Sequence, residues 1–137
     1  VRKVYDVDAL HIMALFERLT KARLKEYFER NGTLYFFVPV QEIGKAIGKQ
    51  AVNTKRLEEK LNKKIKVIAF SDNRMQFLKN LVYPLRKFTL EEEGNVLTFH
   101  SDDTKTKGLL IGKQAQNLRF YEEVLKRYFE VDEIKVV

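Results

Sequence analysis

Ile12, Met13, Phe16 and Leu19 fall on one face at helical spacing, which predicts an amphipathic helix over residues 8–19 with Asp8 as its N-cap. The pattern then changes. Asn31-Gly32 followed by Leu34-Tyr35-Phe36-Phe37-Val38 predicts a hairpin, with strands at 22–29 and 33–39. Beyond Pro39 the spacing is helical again, giving a short helix near 42–47, a loop over Gly48–Ala51 and a helix to Leu61. Thr54, Leu57 and Leu61 form its buried stripe, and Asn62 suits a left-handed residue ending it. A strand at 65–70 closes this half.

The same order follows. Ser71-Asp72 can cap a helix at 74–81, which must stop by Tyr83 because Pro84 comes next. Strands at 85–91 and 95–100 meet at a turn on Glu93-Gly94. A short helix up to Ile111, a second loop, a helix at 115–128 and a strand at 132–137 complete it. The prediction is an α+β chain of two domains, residues 1–71 and 72–137, each ordered helix, two strands, helix–loop–helix, strand. No Pro-, Gly- or Ser-rich linker separates them, so the two are expected to be rigidly packed.

The halves are copies in sequence as well as in pattern. Residues 44–61 and 108–125 share ten identities in eighteen positions, centred on Ile47-Gly48-Lys49-Gln50-Ala51 and Ile111-Gly112-Lys113-Gln114-Ala115. Asn53 matches Asn117, and Glu58-Glu59 match Glu122-Glu123. A local repeat with diverged flanks means two copies of one small module.

Charge narrows the chemistry. The 137 residues carry a formal +7, and eight basic residues against Glu42, Glu58 and Glu59 between 41 and 66 supply +5 of it. That segment surrounds the first glycine motif and favours an anionic partner. With no cysteine there is no disulfide, thiolate nucleophile or Cys-based zinc site. His11 lies among core positions and His100 ends a strand, and neither has a paired carboxylate, so no catalytic residue and no metal ligand is expected. The adjacent glutamates cannot face each other on a helix and read as solvated charges. No apolar run approaches a membrane span and no signal-type segment opens the chain, so a cytoplasmic protein with no cofactor is expected. The aromatics at 35–37 could stack bases, but a sheet buried under helices accounts for them without RNA.

The glycine–lysine element is not a P-loop. Its glycines are one residue too close, and Gln50 or Gln114 stands where a hydroxyl would hold magnesium. A glycine that admits a backbone, a lysine and a helix start with free N–H groups together suit phosphate contact. The candidate RNA-binding residues are therefore Lys45, Gly48, Lys49, Gln50, Ala51 and Lys55 in the first copy. Gly112, Lys113, Gln114, Ala115, Asn117 and Arg119 are those of the second. For Asn53 and Asn117 an internal bridge across the loop stands beside RNA contact as an alternative.

This element resembles the Ile-Gly-x-x-Gly loop of KH domains, with Ala51 and Ala115 in place of the second glycine, and the order of elements resembles the type II KH module. The stretch from Ser71-Asp72-Asn73 through Gln76, Phe77 and Asn80 to Pro84 is similar to the connector between the tandem KH domains of NusA transcription factors. Ile111 to Arg119 is similar to their second motif. The resemblance implies two tandem type II KH domains in the short archaeal NusA-like form, without the polymerase-binding and S1 domains of the bacterial factor. It implies a monomeric factor in transcription termination, antitermination or elongation. Its partners would be single-stranded RNA and RNA polymerase, and no membrane. The alternative is an adaptor that docks on polymerase or ribosome through protein surface.

Overall fold

The computed structural model describes residues 7–137, so positions 1–6 of the first expected domain lie outside the described residues. The chain divides into two compact units, Val1–Ser71 and Asp72–Val137. In the first, helix α1 (Val7–Thr20) leads to strands β1 (Glu26–Arg30) and β2 (Thr33–Pro39), helices α2 (Ile43–Ile47) and α3 (Val52–Leu61), and strand β3 (Lys64–Phe70). The second repeats the order with α4 (Arg74–Val82), β4 (Thr89–Glu93), β5 (Val96–His100), α5 (Thr104–Ile111), α6 (Gln116–Tyr128) and β6 (Glu133–Val136). The fold is α+β, and each unit has the element order of a type II KH module.

Each sheet has three strands, with the middle one antiparallel to its hairpin partner and parallel to the last strand. In the first unit Asn31 (φ 51°) and Gly32 (φ 79°) make the predicted turn, and Arg30 pairs with Thr33 across it. Leu34, Phe36 and Val38 are fully buried in one core with Phe16, Ala46 and Leu57. The Phe16 and Phe36 rings stack at 4.4 Å. Phe37, on the other face of β2, is fully buried too, so neither ring is available to stack a base. In the second unit Leu97, Phe99, Leu110, Val124, Leu125 and Ile134 are buried.

Several boundaries differ from the sequence expectation, each for a local reason. β1 starts at Glu26 and not at 22, because the amides before it bond elsewhere. Ala22 N–H donates to Thr20 Oγ1, Arg23 N–H to Glu42 Oε1 and Leu24 N–H to Glu17 Oε2. β4 starts at Thr89 and not at 85. Leu85 N–H bonds back to Val82, and the Lys87 carbonyl accepts from Ser101 Oγ. The second hairpin turns on Gly94-Asn95, with Gly94 at φ 60°. Asn73, not Ser71-Asp72, caps α4 by accepting from Gln76 N–H at 2.9 Å. Asp8 lies inside the first turn of α1, not at its cap. His11 is exposed, not part of the core. His100 does have a carboxylate, with Nε2 2.7 Å from Glu91 Oε2 on the sheet surface.

One side chain ties the second unit together. The Arg74 guanidinium donates to the Glu130 carbonyl (2.5 Å), the Gly94 carbonyl (2.6 Å) and Asn95 Oδ1 (3.0 Å), and it lies 3.5 Å from Glu92. It joins the start of α4 to the β4–β5 turn and to the segment before β6.

Candidate nucleic-acid interface

The two repeated loops have the same backbone shape. Gly48 lies at φ 78°, ψ 170° and Gly112 at φ 75°, ψ 173°, a region open to glycine alone. Gln50 (54°, 33°) and Gln114 (55°, 33°) are left-handed. So are Ala51 (59°, 28°) and Ala115 (61°, 23°), each the residue immediately before its helix. These alanines stand where the KH pattern has its second glycine, and they keep a glycine-like conformation.

That geometry leaves a helix start without a cap. Asn73 and Asp103 cap α4 and α5 through their side chains, whereas Ala51 and Ala115 offer no acceptor to α3 and α6. The first amides bond back into the loop instead, Val52 N–H to the Lys49 carbonyl and Gln116 N–H to that of Lys113, and the positive end of the helix dipole lies at both loops. Lys49, Gln50, Lys113 and Gln114 are exposed there. Lys55 and Arg119, also exposed, follow four residues after Ala51 and Ala115, one helical turn on. Among the described residues Lys49, Lys55, Lys113 and Arg119 form no ion pair, which leaves their charge for an anion.

The remaining candidates are differently placed. Lys45 Nζ is 3.2 Å from Glu42, which also accepts from Arg23 N–H. That N–H bond, then Lys45, hold the Glu42 carboxyl below its ordinary pKa. Asn117 Nδ2 donates to the Leu109 carbonyl at 2.7 Å, and Asn53 Nδ2 to the Lys45 carbonyl at 2.9 Å. Both asparagines bridge their loops from within.

Two features were missed in the sequence. Glu42 is not marked by the repeat, which puts Thr106 in its place. Glu58 and Glu122 are not solvated charges, because they accept from the Ile65 and Ile134 N–H groups at 3.4 and 2.9 Å. Their identity in the two copies was the available signal. Glu59 and Glu123 are exposed, as expected. A depression lined by Lys87, Phe88, His100, Ser101 and Asp103 holds none of the loop residues. Asp103 is kept below its usual pKa by Thr106, whose hydroxyl and N–H both donate to it. Among the described residues no cluster of His, Asp and Glu could hold a metal, and no helix is long and apolar enough to cross a membrane.

Fold and loops define an α+β protein in which each unit carries a KH-like helix–loop–helix. Comparison with known proteins agrees. A protein of Methanococcus vannielii named probable transcription termination protein NusA is 30% identical over 138 residues, covering 98% of this chain and 79% of the relative. Its namesake in Methanocaldococcus jannaschii is 27% identical, covering 91% of this chain and 70% of its own. The crystal structure of APE1850 is 25% identical, with a TM-score of 0.71 over 97% of this chain and all of the other. No family model matches. The chain belongs to the archaeal NusA family.

Proposed function

We propose that this protein binds single-stranded RNA through both loops and acts as a NusA-type factor in transcription termination or elongation. Relatives named transcription termination proteins support the process. The observation that carries RNA binding is the repeated loop itself. Two copies hold one costly backbone shape, each with an uncapped helix start and unpaired cations beside it. A protein whose loops had no ligand would gain from an ordinary cap there, worth about 1 kcal/mol per helix. Phosphates of an extended strand are the ligand these features suit, and bases would rest beside the loops.

On this reading the chain is a binding protein and not an enzyme. It works in the cytoplasm as a monomer, with RNA polymerase as the protein partner.

The test replaces Lys49-Gln50 and Lys113-Gln114 by Asp-Asp. Acids at a helix start are tolerated or favourable, so thermal stability should hold while affinity for unstructured RNA drops at least tenfold. Undiminished affinity in the quadruple variant, with its fold verified by circular dichroism, would transfer the function to protein docking.

A further inference from the structure

Each loop contains strain that something must hold. Gln50 and Ala51, like Gln114 and Ala115, are consecutive left-handed residues, a conformation that non-glycine side chains disfavour. In both copies the same side chain lies across the loop. A Cβ built on Gly48 would fall 2.9 Å from Asn53 Nδ2, and one on Gly112 2.7 Å from Asn117 Nδ2. The amide of each asparagine thus packs on the bare face of the glycine. From there it donates to Lys45 or Leu109, whose carbonyls lie in the last turn of the preceding helix and lack an onward intrahelical partner. One short side chain spans from the start of one helix to the end of the other and closes the loop between them.

We infer that Asn53 and Asn117 are positioning residues. They hold each loop in its binding shape before RNA arrives, and their amides are spent on that bridge and not on a nucleotide. The inference rests on the RNA reading of the loops. A loop that visits its competent shape only part of the time binds more weakly by that fraction. Loss of one hydrogen bond of ordinary strength shifts the ratio of braced to open loop about fivefold toward open. Glycine and asparagine form a matched pair in this scheme. Any side chain at 48 or 112 would displace the amide, on top of the backbone strain that already reserves both positions for glycine.

The test uses the full chain with Asn53→Ala, Asn117→Ala, and each combined with Lys49→Ala or Lys113→Ala. Amide exchange in the free protein, at residues 48–51 and 112–115, should speed about fivefold in the asparagine variants, with strand amides unchanged. Affinity for a short unstructured RNA should fall by at most that factor. That loss should shrink when the neighbouring lysine is already gone, because the two act through one loop geometry. Gly112→Ala should also disturb the loop less in the Asn117→Ala background than in the wild type. Unchanged loop exchange, whether or not affinity falls, would overturn the brace, and additive losses with the lysines would assign the asparagine to direct contact. If the unaltered chain binds no RNA, the RNA reading fails instead. Exchange in the free protein separates that failure from failure of the brace.

Discussion

At the scale of single residues, the alanines before α3 and α6 are where sequence and structure part most usefully. The sequence shows a missing glycine; only the backbone shows that Ala51 and Ala115 keep φ near 60°. A left-handed alanine costs about 1–2 kcal/mol. Glycine would relieve that while adding about 0.4–1 kcal/mol of unfolded-state entropy. Ala51→Gly and Ala115→Gly are therefore each expected to stabilise by roughly 0.5 kcal/mol, read as a rise in the urea midpoint at constant slope. Glu42 belongs to the same scale: its neighbour Lys45 is a local i,i+3 partner, but Arg23, whose N–H it accepts from, meets it only in the fold. Its folded pKa lies below the ordinary 4.5. Its stabilisation is thus complete above that ordinary value and is lost as pH falls through the folded one. Glu42→Gln should lower stability at neutral pH and flatten the acid side of a stability–pH curve. An unaltered acid limb would refute its role.

At the scale of elements, periodicity located the first helix, because Ile12, Met13, Phe16 and Leu19 recur with the turn of a helix and pack into one core. The starts of β1 and β4 were not legible. Apolar residues continue into 22–25 and 85–88; side-chain acceptors on Thr20, Glu42 and Glu17 divert the first stretch from the sheet, and the Val82 carbonyl and the Ser101 hydroxyl divert the second. The glutamate pairs show a further limit. Reading a helix alone, Glu58 and Glu122 belong to solvent; in the fold each reaches the first residues of the strand that follows its helix. Losing such a bond exposes a strand amide and costs about 1 kcal/mol. Glu122→Ala is expected to lower the thermal midpoint more than Glu58→Ala, since its bond is shorter (2.9 against 3.4 Å). Equal midpoints for Glu122→Ala and wild type would remove this role.

At the scale of the whole molecule, the repeat was plain in the sequence, and its two copies proved alike down to the loop dihedrals. Their electrostatics are unlike. Residues 1–71 hold fifteen basic and eight acidic groups, whereas residues 72–137 hold eleven of each, so the entire formal +7 lies in the first unit. If phosphates are the ligand, the logarithm of RNA affinity should fall linearly with the logarithm of salt, by about 0.7 per neutralised contact. Removing Lys49 and Lys55 together should reduce that slope by about 1.4, and a salt-independent affinity would contradict the electrostatic reading. The Arg74 clip of the second unit has a consequence in time. Its partners lie about 20 and 56 residues along the chain, so it can form only after distant segments have been brought together. Contacts completed late are absent from the folding transition state, and their loss quickens escape from the native state with little effect on the way in. Arg74→Ala should steepen loss of the fold on dilution into denaturant while leaving the refolding arm of a chevron nearly unmoved. The clip would then set how long the second unit stays folded, not how fast it gets there.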